Sequence, residues 1–223
     1  MADHVTEEQQ VEAIKKWWKD NGIAVIAGLV IGFGALYGWR YWNDHKADQA
    51  AQASLLYGSF QGQLKQGSAE ARQKGDEIIS EYTSTPYAVL TAFALARHAV
   101  ENNDLAEAKT RLQWVLDNTR QGQMQHTARL RLAAVLSAES DFDAALVLLN
   151  TAEAGGYKGA YEEMRGDIYI ARGDTGAAHA AYDLALQSDG LSPGNRQVVE
   201  AKFADTQTGA EQKPMQKPME AAK

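Results

Sequence analysis

The side chains best suited to acid–base or metal chemistry in this 223-residue chain are five histidines: His4, His45, His98, His126 and His179. Imidazoles that share a metal or a proton relay on one helix stand three or four positions apart, because those positions lie on one face. No two of the five are so spaced, and no HExxH motif occurs. Cysteine is absent, which removes thiolate nucleophiles, thiolate metal sites and disulfides together. Carboxylates are plentiful, but Glu162-Glu163 and the Asp141/Asp143 pair read as solvated helix faces or caps. Gly32-Phe33-Gly34-Ala35-Leu36-Tyr37-Gly38 has glycines of the kind that cradle phosphate. Their spacing is not GxGxxG, and no strand followed by a polar turn surrounds them. No nucleophile elbow appears either. The expectation is a protein without catalytic residues, cofactor or metal, whose chemistry is noncovalent recognition.

Charge narrows the partner. With 29 acidic against 22 basic side chains the net charge is −7, which disfavours nucleic acid, a ligand that selects a basic face. The mean hydropathy of −0.41 excludes a polytopic membrane protein. One stretch stands apart, GIAVIAGLVIGFGALYGWRYW, which with its neighbours is uncharged from Asn21 to Trp39. A helix needs roughly 20 apolar residues to cross a hydrocarbon core of about 30 Å. Trp17 and Trp18 precede the run, and Trp39 and Trp42 follow it. Trp18 to Trp39 covers about 31 Å of helix, which places amphipathic rings at both headgroup levels. Arg40 sits where its guanidinium can reach the interface. Ala51-Gln52-Ala53 resembles a cleavage site, but it lies far beyond the apolar run, so an uncleaved anchor is favoured over a signal peptide. Lys15, Lys16 and Lys19 precede the span while Arg40 and Lys46 follow it, so the N-terminus is expected in the cytoplasm and the bulk across the membrane. Gly28/Gly32 and Gly34/Gly38 are two small-xxx-small pairs, a spacing that lets helix backbones approach closely in lipid.

Residues 47–205 alternate helical periodicity with short polar turns and contain no run that reads as a strand. Three segments align: 95–112, 132–149 and 165–182. Each has a small residue in its second position (Ala96, Ala133, Gly166). Aspartate follows eight positions later (Asp104, Asp141, Asp174), then alanine (Ala108, Ala145, Ala178), then Leu112, Leu149 or Tyr182. Offsets of 37 and 33 residues between copies fit paired antiparallel helices of the tetratricopeptide kind, though the usual Trp and Pro are missing. Residues 51–83 read as a divergent fourth pair. Ser192-Pro193 opens a final capping helix, and 206–223, with two Lys-Pro-Met copies, reads as a disordered tail. The fold class is therefore all-α: one N-terminal transmembrane helix, then a tetratricopeptide-like helical-repeat solenoid. Its segments are 1–20 before the span, 21–42 the span, 43–205 the repeat domain and 206–223 the tail. Solenoids bind partners along a concave face lined by the first helix of each pair. The alignment puts Phe93 and Arg97, Leu130 and Ala134, and Glu163 and Asp167 on that face.

QVEAIKKWWKDNG (10–22) followed by GALYGWRYWNDHKADQAAQASLLY (34–57) closely resembles the YfgM family of ancillary SecYEG translocon subunits, and GWRYWN (38–43) is the most specific element. The likeness continues more weakly to about residue 205. The resemblance implies a short cytoplasmic N-terminus, one inner-membrane span and a periplasmic tetratricopeptide-like domain. It implies as partners the SecYEG channel and the membrane-anchored periplasmic chaperone PpiD, and as function assistance to secreted proteins emerging from the channel. It carries over no catalytic residue. Two other classes stay open: a tethered scaffold that binds one folded partner without touching clients, and a regulator acting through VEAIKKWW.

Overall fold

The computed structural model describes residues 7–68, 70–150 and 154–211. Nine α-helices occur among them, with no strand: α1 (Glu7–Lys65), α2 (Glu70–Glu81), α3 (Pro86–Glu101), α4 (Leu105–Asn118), α5 (Gly122–Ala138), α6 (Phe142–Leu148), α7 (Lys158–Arg172), α8 (Thr175–Gln187) and α9 (Pro193–Glu211). The chain divides into two compact units, one through Gln52 and one from Ala53 onward.

The first unit is the greater part of α1. It contains a stretch long and apolar enough to cross a membrane. Large apolar side chains stand exposed along it, among them Ile23, Leu29, Ile31, Phe33 and Leu36. In a water-soluble fold such a row would be covered, since burying each such side chain is worth about 1.5–3 kcal/mol. The flanking rings Trp17, Trp18, Trp39 and Trp42 are all at least half exposed. Trp39 and Trp42 lie 6.0 Å apart, Lys46 sits 3.5 Å over the Trp42 ring, and Arg40 reaches Asp44 at 3.9 Å. Added Cβ atoms on Gly28, Gly32, Gly34 and Gly38 would meet nothing within 4 Å, so the faces carrying the two pairs are open.

The second unit is a stack of helix pairs, and its three aligned copies are built alike. Asn103 (φ 60°), Ser140 (φ 64°) and Gly173 (φ 85°) each end a first helix in the left-handed conformation. The N–H of the following aspartate donates to a carbonyl five residues back: Asp104 to Ala99 at 2.8 Å, Asp141 to Leu136 at 2.9 Å, Asp174 to Tyr169 at 2.8 Å. This closes the helix end in the Schellman manner. Each aspartate then caps the next helix, accepting from the N–H of Glu107, Ala144 or Ala177. One residue thus ends one helix and starts another, which is why the turns can be so short. The repeated alanines Ala108, Ala145 and Ala178 are fully buried, and Ala96 and Ala133 nearly so. Gly166 is the exception that explains itself: a Cβ there would overlap the Tyr182 ring, so the copy with the larger +16 residue carries the smaller second-position one.

At both ends of the repeat domain the helices run on past the sequence patterns. The first helix of the pair read at 51–83 is the C-terminal part of α1, which runs unbroken to Lys65, and the second compact unit starts at Ala53. Residues 43–52 continue the helix but place no side chain in a core, whereas Ala53 and Phe60 are wholly buried. At the other end, α9 begins as expected with Pro193 in its first turn and the Ser192 hydroxyl accepting from the Asn195 N–H. It passes 205 and continues to Glu211 because Thr206 is buried, with its hydroxyl donating to the Phe203 carbonyl and bonded to His179. The rest of the expected tail, 212–223, lies outside the described residues, as does His4.

Candidate partner-binding groove

The first helices of successive pairs, α3, α5 and α7, with α9 after them, meet along three seams, and the seams are filled differently. Between α7 and α9 the filling is ionic. Lys202 Nζ donates to Glu163 and to Asp167, both at 2.8 Å, and the Tyr182 hydroxyl donates to Asp167 at 2.8 Å. Burial works to lower the Lys202 pKa, but the hydrogen bonds to Asp167 and Glu163 outweigh it and hold it above the ordinary lysine value. Burial first, and then the hydrogen bond and charge of Asp167, push the Tyr182 phenol well above its usual range. Glu163 and Asp167, expected on a ligand face, are thus held by the capping helix.

The seam between α5 and α7 is closed by rings. His126 stacks on Tyr157 at 4.4 Å and bonds through Nδ1 to the Tyr161 hydroxyl at 2.7 Å. Tyr161 is 2% exposed. His126 and His179 therefore act as packing residues: His179 stacks on Phe203 at 4.2 Å. No group of acidic, histidine or cysteine side chains able to hold a metal occurs among the described residues.

The seam between α3 and α5 is open. A cavity of about 480 Å³ lies there, with Phe93, Ala96, Val100, Leu105, Leu112 and Val135 as its apolar floor. Arg97, Glu101, Arg131, Ala134 and Ala138 form its edges. Ala134 and Ala138, one turn apart on α5, line the cavity with the shortest side chains, across a groove that Val100 of α3 also lines. Arg97 is spent on Glu101 at 2.8 Å. The Arg131 guanidinium lies 4.8 Å over the Phe93 ring, and among the described residues no carboxylate pairs with it. Of the six expected face residues, the structure brings Phe93, Arg97 and Ala134 into this groove. Leu130 packs half-buried against the core. Sequence reasoning missed Arg131, Val100 and Ala138. Val100 and Ala138 were signalled by helical spacing, seven after Phe93 and four after Ala134, while Arg131 had no signal.

The tetratricopeptide repeat-like domain model matches residues 15–208, and so takes in the apolar stretch as well as the repeats. An Escherichia coli (strain K12) protein named ancillary SecYEG translocon subunit is 32% identical over 203 residues, covering 91% of this chain and 98% of its own. The chain belongs to this family of ancillary translocon subunits. A Haemophilus influenzae relative of the same name is 32% identical over 188 residues, covering 84% of this chain and 92% of its own. A Neisseria gonorrhoeae relative, again of that name, is 26% identical over 212 residues. No solved structure matches the chain. The family is named for membership in a translocon and not for a reaction, a non-catalytic kind of protein.

Proposed function

We propose that this chain is an ancillary subunit of a SecYEG translocon, which holds a helical-repeat interaction domain at the periplasmic exit of the channel and assists newly translocated proteins together with a PpiD-like membrane-anchored chaperone. The observation that carries this reading is near full-length similarity to relatives named for that role, 32% identity over 91% of the chain. The exposed apolar face of α1, with interfacial tryptophans at both ends, supports a single inner-membrane span. The lysine excess before it supports a cytoplasmic N-terminus. Gly28/Gly32 and Gly34/Gly38 leave two open small-residue faces, which suit close packing by a neighbouring helix in the assembly. Tethering makes even weak binding in the α3/α5 groove effective, because the anchor raises the local concentration of the domain at the exit.

The test is purification of the tagged chain, span intact, from mild detergent, followed by mass spectrometry. Recovery of channel components and a PpiD-like chaperone is expected, and recovery of neither overturns the reading. Crosslinkers placed at Phe93 and Ala134 separate its two forms: adducts with many secreted chains support client binding, and adducts with one chaperone alone support a scaffold. Orientation is read by maleimide labelling, since the chain has no cysteine of its own. A cysteine introduced at Asp48 is expected to react with an impermeant reagent from the periplasmic side, and one at Gln9 is not.

A further inference from the structure

We infer that the α3/α5 groove takes a short apolar segment of a partner polypeptide that carries a carboxylate side chain, seated with its apolar groups on Phe93 and Val100 and its carboxylate on Arg131. The inference rests on the groove being the partner site proposed above, and adds which chemistry it selects.

Three observations carry it. The first is confinement. The α5/α7 seam is shut by His126 and Tyr161, and the α7/α9 seam by Lys202 on Glu163 and Asp167. A ligand entering between these first helices therefore meets one open seam and a few residues, in place of the long extended peptide that a fully open solenoid face would take. The second is volume. The cavity of about 480 Å³ is about three times the roughly 150 Å³ that accommodates one benzene-sized group, so it seats about three leucine- or phenylalanine-sized side chains. Val100, in its floor, is 46% exposed, an apolar surface that a ligand would cover. The third is charge. Arg97 is matched by Glu101 at 2.8 Å, which leaves the Arg131 guanidinium as the rim charge without a carboxylate partner among the described residues. It already lies on the Phe93 ring, so its planar fork is held in place beside the apolar floor, with donors available to a carboxylate. The rest of the chain carries an acidic excess, which makes a basic rim local to this groove.

The experiment uses the full chain in lipid nanodiscs and two fluorescein-labelled probe peptides, Leu-Phe-Leu-Leu-Glu-Glu and Leu-Phe-Leu-Leu-Gln-Gln, with empty nanodiscs as the blank. Anisotropy is expected to show the glutamate probe binding at least fivefold more tightly than the glutamine probe, with the margin shrinking as salt rises. Arg131→Glu, an exposed change, is expected to reverse that preference. Ala134→Phe is expected to weaken both probes at least tenfold by filling the groove. Equal affinities for the two probes, or a preference that Arg131→Glu leaves intact, overturn the inference while loss of binding in Ala134→Phe still supports the groove as a binding site. Binding unaffected by Ala134→Phe removes both. Should Ala134→Phe lose its helical circular dichroism, Ala138→Leu repeats the groove-filling arm.

Discussion

The α3/α5 and α7/α9 seams are built from equivalent positions of the same repeat and do opposite things. Phe93 and Arg97 in one copy correspond to Glu163 and Asp167 in another. The first pair borders an open apolar cavity, whereas the second is clamped by Lys202 from the capping helix. A solenoid needs one end sealed, because an uncapped last pair would leave its apolar face in water. It also needs surface left unsealed if it is to hold a partner. The two demands are met by exchanging an aromatic–arginine pair for two carboxylates. The comparison teaches that repeat position alone does not assign a binding role; what the next helix brings to that position does.

The largest expected effect lies in the sealed copy. Gly166→Ala drives a Cβ into the Tyr182 ring and is expected to cost about 1–3 kcal/mol, although alanine is the better helix former. Differential scanning calorimetry should show the midpoint falling by several degrees. Tyr182→Leu in the same chain restores the alanine–leucine pairing of the other two copies and should recover most of the loss. Recovery of none would mean the glycine–tyrosine complementarity is not what sets the third copy apart.

Lys202→Met comes next. It leaves Glu163 and Asp167 facing each other without their cation, and because all three are partly exposed the cost is about 1 kcal/mol. The same cluster sets an alkaline limit. Lys202 and Tyr182 both bind their protons more tightly folded than unfolded. Their stabilisation is therefore complete below the ordinary values of 10.5 and 10.0 and is lost as pH rises through the raised folded values. Hydrogen exchange of α9 should accelerate above about pH 10 more than global unfolding does, and Lys202→Met should flatten that difference.

Replacing any of Asp104, Asp141 or Asp174 by alanine removes an N-cap and is expected to cost about 1 kcal/mol. Chemical denaturation should give similar losses at all three, since all three turns share one geometry. A cap that costs nothing would single out a copy held by packing alone. The smallest stability effect belongs to the open seam. Arg131→Ala should shift stability by no more than about 0.5 kcal/mol, because the side chain is exposed and lies over one ring. The contrast between a neutral change at Arg131 and a costly one at Lys202 is the measurable form of open against sealed.

Local signals were enough for the helices and their turns. Aspartate recurring eight positions after a small residue marks the turn, and in each of the three copies it caps the next helix. The buried alanines follow from the repeat offsets of 37 and 33 residues, and the span from length, hydropathy and tryptophan spacing. Boundaries were less legible. The apolar run ends at Trp42, but a helix does not stop where hydrophobicity does, and α1 continues through the polar stretch to Lys65. Thr206 looked like the start of a polar tail because its partner, His179, is 27 residues away. The groove was half legible: Phe93, Arg97 and Ala134 fell on it by repeat alignment, while Glu163 and Asp167 met a lysine 35–39 residues downstream that no local pattern announces.

The sequence by itself determined that this chain is helical, that it repeats, that one segment suits a bilayer, and to which family it belongs. Each of those rests on side-chain type at fixed spacing along one helix or from one turn to the next. Only the tertiary structure decided which seam stays open. Openness depends on side chains from different helices, Ala134 against Val100 in one place and Lys202 against Asp167 in another, and on whether their sizes and charges fill the space between them.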